Sequence, residues 1–130
     1  MKMIIHRVST YLFAFLFFGA GIFHLMELDG FARMLYALPF PYFIVYATAF
    51  IEWGIAVLLL IPRARRQTAK WTAIYLVLIF PANLFATKEG IPFPGQEHTD
   101  SSFLWGRLIV HPLLILWAMS IVTGQEKSIK

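Results

Sequence analysis

Cysteine is absent from the 130-residue sequence, which excludes disulfide staples, thiolate metal sites and thiol redox chemistry within the chain. Charge is scarce as well. Asp, Glu, Lys and Arg make up only 14% of the residues, against roughly 25% in average soluble domains. There is no phosphate-binding loop, no dinucleotide fingerprint, no His-rich metal spacing and no serine nucleophile beside a base. Fixed-period repeats and low-complexity tracts are missing too. These absences weigh against an enzyme acting alone, and no cofactor or metal site is evident from the residues.

Apolar residues are what the chain has in excess, at 59% of the total. Four apolar segments, 8–26, 41–61, 71–87 and 103–123, each approach the length of about 20 residues that a membrane span needs. Joined by short connections, they predict a single all-α integral membrane domain over residues 1–130, an antiparallel four-transmembrane-helix bundle. A cleavable signal peptide, with MKMIIHR as its basic region and GAG as its small residues, is the alternative for the first segment; we expect it to be retained as a span.

The net charge of +4 is unevenly placed. Eight of the eleven basic residues fall near the N-terminus (Lys2, Arg7), the centre (Arg63, Arg65, Arg66, Lys70) and the C-terminus (Lys127, Lys130). The segments between hold Glu27, Asp29, Glu89, Glu97 and Asp100, with only Arg33 and Lys88 as cations. That alternation is the positive-inside pattern, with both termini and the central basic loop cytoplasmic in a bacterial inner membrane. It does not suit nucleic acid, which needs its cations gathered on one exposed face.

The outer connections differ in kind. In ELDGFARMLYALPFP, Asp29 is placed to cap a short interfacial helix carrying Phe31, Met34, Leu35 and Leu38 on one side. Pro39 and Pro41 end it, and Pro41 suits the first turn of the second span. The segment Lys88–Ser102 contains Gly90, Pro92, Pro94 and Gly95 and is expected to be irregular. Trp71, Trp105 and Tyr42 sit near span ends, as interfacial aromatics do.

Within YATAFIEWGIAVLLLIP a single carboxylate, Glu52, interrupts the apolar run. An ionised carboxylate at mid-bilayer is costly, so it must face the interior and find a partner. His24, Asn83, Arg107 and His111 complete a set of five polar residues that one layer of the outer half can hold. Arg107 and His111 lie at i and i+4 on one helix face. Charge alone favours a Glu52–Arg107 pair, with the two His, Asn83 and the Thr48 hydroxyl completing the hydrogen bonds. Pro81 cannot donate to the Val77 carbonyl, nor Pro112 to that of Leu108, so both are expected to free acceptors and open room beside the cluster. Each residue also has a plainer reading: a clasp that fixes helix register, an arginine reaching the headgroups, an asparagine bonded across helices.

In order, the pieces GAGIFHL, LPFP, EWGIAVLLLIPRARR, FPANLFAT and GRLIVHPLLILWA resemble the DoxX-like family of small four-span membrane proteins over residues 15–120. The resemblance implies that Glu52, Asn83 and Arg107 occupy that family's polar positions and His24 its usual span-one histidine. Many of its members read RLPLQ in span four where this chain reads RLIVH, so His111 stands in the place of their glutamine. Members include membrane subunits associated with thiosulfate oxidation into the quinone pool, and a distant relative is the vertebrate chaperone of nicotinic acetylcholine receptor assembly.

The leading expectation is a non-catalytic accessory, chaperone-like or binding protein whose outer-half pocket takes a lipid-like ligand or a partner's transmembrane segment. A homodimer is a further partner expectation. The second reading is a membrane subunit of a quinone-linked oxidoreductase, with Glu52 and a His moving protons and a partner supplying the redox group. The third is a proton-coupled transporter. Compact four-span exporters carry their glutamate in span one with little bias between loops, which counts against it here.

Overall fold

The computed structural model describes residues 2–92, 94, 95, 98 and 101–129, with side chains from 102 to 124 in the last helix. Its elements are α1 (Lys2–Met26), α2 (Leu28–Met34), α3 (Pro41–Leu60), α4 (Pro62–Lys88) and α5 (Ser101–Ile129), with no strand among the described residues. α1, α3, α4 and the 102–124 portion of α5 are each long and apolar enough to cross a membrane.

The buried positions follow the helical period. α1 buries Thr10, Phe13, Ala14, Phe17 and Gly21, and α3 buries Val45, Ala49, Glu52, Ile55, Ala56 and Leu59. Those spacings of three and four draw one inward stripe per helix. α1 packs chiefly against α3 and α4 against α5, while lesser α3–α4 and α1–α5 contacts close the ring. Phe13, Leu59, Leu76 and Ile121, one from each long helix, anchor a continuous apolar core. Trp117 Nε1 donates to Ser9 Oγ at 2.8 Å, tying α5 to α1. At Gly21 the α1 and α3 backbones come close: a Cβ there would lie 2.4 Å from Trp53 Nε1 and 3.1 Å from the Ala49 carbonyl oxygen.

Residues 63–70, expected as a loop, are the first turns of α4, and Ile61 alone joins α3 to α4. Pro62 explains this: its fixed φ suits a first turn, where its missing N–H costs no hydrogen bond. No helix breaker follows in RARRQTAK. Arg65, 4% exposed, pins the corner. Its Nε donates to the Leu59 carbonyl at 2.8 Å, satisfying an acceptor that the end of α3 leaves open. The guanidinium carbon also lies 5.7 Å from the Tyr11 ring centroid.

The short helix expected between the first two spans is present as α2, but it ends at Met34, before Leu35, Leu38 and the prolines, and Asp29 does not cap it. The N-cap is Glu27, without a side-chain bond, and Asp29 Oδ1 instead accepts from the Tyr42 hydroxyl at 2.6 Å. Because that bond reaches into α3, the carboxylate fastens α2 to the bundle. α2 is covered on its far side too. A Cβ on its Gly30 would lie 2.8 Å from Pro94 Cα, so only glycine admits the loop so near. A second apolar cluster of Met34, Ala86 and Ile91, with Phe31 and Phe85 against it, lies beneath α2. In the connection after α4, Gly90 and Gly95 take φ values of 66° and 91°, while Phe93, Gln96, Glu97, Thr99 and Asp100 lie outside the described residues.

Candidate functional site

Between the two apolar clusters lies a cavity of about 500 Å³. Phe17 and Leu76 belong to the main core and also to its wall, and Phe31 and Met34 form its roof from α2. His24, Glu52, Asn83, Arg107 and His111 all line it, together with Thr48. Pro81 and Pro112 are exposed and form no part of the lining.

Glu52 is paired, but with His24 rather than with Arg107: His24 Nδ1 stands 2.7 Å from Glu52 Oε2. The same Nδ1 is 2.8 Å from the Ala20 carbonyl oxygen. A carbonyl only accepts, so Nδ1 carries a hydrogen and points it along the helix to Ala20. Oε2 then sits beside that N–H axis, 2.7 Å from Nδ1 but without an aligned hydrogen bond. The imidazole also rests on Phe31 of α2, ring centroids 4.1 Å apart.

Across the cavity, α4 and α5 form a separate couple. His111, 5% exposed, donates from Nε2 to the Leu76 carbonyl at 2.5 Å. Its Nδ1 therefore accepts, and Asn83 Nδ2 lies 3.1 Å away to donate. These two partners assign a neutral imidazole with its hydrogen on Nε2. The carbonyl taken up is that of Leu76, one residue before the one Pro81 leaves without its donor; Val77 itself is 55% exposed. One turn on, Thr87 Oγ1 bonds the Asn83 carbonyl at 2.9 Å and approaches that of Leu104 at 3.4 Å, joining α4 to α5 again.

Arg107 reaches the roof. Its Nη1 donates to Met34 Sδ at 3.1 Å, a weak acceptor for a guanidinium. Thr48 turns back on its own helix and donates to the Val45 carbonyl at 2.8 Å. The five polar residues are thus two couples and a roof contact around one space. Among the described residues no group of three or more His, Asp or Glu is arranged to hold a metal.

Tyr75 was not singled out in the sequence. It lines the cavity, and its hydroxyl is buried without a hydrogen-bond partner among the described residues. An aromatic in an apolar run carries no mark of that position; only its place three residues after Thr72 and seven after Thr68, both buried, gives the hint.

The family model described as a domain of unknown function, DUF8561, matches residues 13–122. The chain belongs to the DUF8561 family. The DUF8561 match takes in α2, α3, α4 and every residue of the polar set, and it begins and ends on core residues, Phe13 and Val122. No curated protein and no solved structure matches the chain.

Proposed function

We propose that the protein is a membrane-embedded binding protein that holds a lipid-like molecule between its helices, polar end toward Glu52, Asn83 and Arg107. One observation carries this reading: polar residues scattered over four helices line one cavity whose other walls are mainly leucine, isoleucine, valine and phenylalanine. A clasp that only fixed helix register would need no such space. Ligand sites typically combine apolar walls with a few convergent polar groups in about 300–1,000 Å³.

The outward faces support insertion in a bilayer. Only 28–33% of each span window is buried inside the bundle, at mean hydropathies of 1.4–2.1. Phe15, Phe43 and Leu78 are more than two-thirds exposed, at 76%, 72% and 71%. So much outward apolar surface is stable against lipid and a liability in water. We read the bundle as antiparallel, with both termini and the basic start of α4 cytoplasmic and the cavity in the outer half. The DoxX-like resemblance is consistent with this: the polar positions it assigns are the ones around the cavity.

Purification in mild detergent followed by mass spectrometry of the extracted amphiphiles tests the reading. Wild type should carry one species enriched well above bulk lipid. Ala82→Phe, which fills the cavity from α4, should lose it while folding normally. Bulk lipid alone on the wild type, or equal occupancy in the filled variant, would refute the proposal. Enrichment of a second protein instead would favour a partner's transmembrane segment as the occupant.

A further inference from the structure

Once the bonds around the cavity are assigned, two side-chain oxygens remain buried and unmatched. Glu52 Oε2 is buried and receives no aligned hydrogen bond, in a residue only 5% exposed. The Tyr75 hydroxyl is buried and has no partner among the described residues. Both residues line the same cavity, yet the phenol does not donate to the carboxylate. Their requirements are complementary. An ionised carboxylate only accepts, while a phenol has one hydrogen to give, and leaving either atom buried and unmatched costs free energy.

We propose that the ligand is a neutral amphiphile with a hydroxyl head, whose O–H donates to Glu52 Oε2 and whose oxygen accepts the Tyr75 hydrogen. This rests on the pocket reading above and specifies what the pocket takes. A hydroxyl both donates and accepts at a single atom, so one group answers both residues. Its bond to the carboxylate is charge-assisted, and such bonds are roughly twice as strong as neutral ones.

Other head chemistries match less well. A carboxylate or phosphate head suits Arg107 in the same cavity, but against Glu52 Oε2 it sets like charges together where the dielectric is low. An ammonium head would satisfy Glu52 but has no lone pair for the Tyr75 hydrogen, and it would share the cavity with Arg107. A hydrocarbon leaves both atoms unmatched. The volume of about 500 Å³ and the aliphatic walls suit a single medium-length chain or a compact polycycle behind the hydroxyl.

Decanol, decanoate, decylammonium and decane share one tail and differ only at the head. Each is added at equal membrane mole fraction to full-length protein in nanodiscs, after detergent washing, and adducts are counted by native mass spectrometry. Decanol should bind at least about tenfold more tightly than the other three, the worth of one to two net hydrogen bonds. Tyr75→Phe should fold as stably as wild type, because it deletes an unmatched buried hydroxyl. In that variant the preference for decanol over decane should fall about fivefold, the bond to the carboxylate remaining, while decane binding is unchanged. Equal binding of decane or decanoate by the wild type, or a full alcohol preference in Tyr75→Phe, would overturn the hydroxyl assignment and leave the pocket standing. Failure of all four probes, with no co-purifying amphiphile, would overturn the pocket itself.

Discussion

Removing either member of the His24–Glu52 pair should not cost the same, because the two residues are differently supported. In His24→Leu, Glu52 Oε2 loses the nitrogen 2.7 Å away, and no aligned donor replaces it. Breaking a buried ion pair from one side costs about 3–5 kcal/mol, and the upper part of that range applies where the surviving charge has no second partner. In Glu52→Leu, the His24 Nδ1–H keeps the Ala20 carbonyl at 2.8 Å, so nothing is orphaned and an apolar group enters an apolar wall. That variant should lie within about 1 kcal/mol of wild type, as should the double variant, since a buried pair replaced by apolar residues is often neutral. The coupling energy from the cycle is then about 4 kcal/mol. Reversible unfolding of the four proteins by SDS in mixed micelles measures it. A parallel cycle on Glu52 and Arg107 should be near additive, because the Arg107 Nη1 contact is with Met34. Additivity of the His24–Glu52 cycle within about 0.5 kcal/mol, or a costlier Glu52→Leu, would refute the reasoning.

Other consequences can be checked alongside. Gly21→Ala should destabilise by about 1–3 kcal/mol and shift tryptophan emission, since its Cβ meets Trp53; Gly19→Ala, with open space around it, should be neutral or slightly stabilising by the same unfolding measurement. His111→Phe takes away the side-chain donor to the Leu76 carbonyl and strands Asn83 Nδ2; it should cost about 1–3 kcal/mol, part of it recovered by adding Asn83→Leu. Arg65→Lys should behave much like Arg65→Met in thermal unfolding, about 1–2 kcal/mol below wild type, because neither reproduces the Nε bond to Leu59 together with the face set against Tyr11. Cysteines at the exposed positions Gln67 and His98 should label from opposite sides of intact cells' membranes, Gln67→Cys only from the cytoplasm; the reverse pattern would invert the topology.

The long helices were legible because an apolar run of span length admits few alternatives, and the short α2 because its apolar side shows between the first two spans, although it ends at Met34 and not at Pro39. Helix ends were not. Arg63–Lys70 is polar, and polarity was taken for a loop, whereas Pro62 starts a helix whose first turns are simply charged. The five polar residues stood out since such side chains are rare in apolar runs, and all five line one cavity. Their pairing was hidden. Ranking partners by charge put Arg107 opposite Glu52, but the close α1–α3 packing at Gly21 brings His24 to it first. Tyr75 was invisible for the opposite reason: its ring belongs in an apolar segment, and only the third dimension exposes its hydroxyl as unmatched.

The single residue between α3 and α4 has a mechanical meaning. Two tightly packed pairs, α1 with α3 and α4 with α5, are joined through Ile61 and braced there by Arg65. The molecule is built like a pair of tongs with its pivot at that corner and its jaws at the far end. At 1.5 Å per residue, Glu52 lies about 14 Å from the pivot and Pro41 about 30 Å. A tilt of about 5° between the arms would therefore move the jaws apart by about 2.6 Å but the Glu52 layer by only about 1.2 Å. What spans the jaws is α2, whose polar ties to the two arms are the phenol–carboxylate bond at Tyr42 and the thioether contact at Met34, above the apolar cluster of Met34, Ala86 and Ile91. A change in the width of the entrance made at that corner would thus displace the Glu52 carboxylate less than half as far as the mouth.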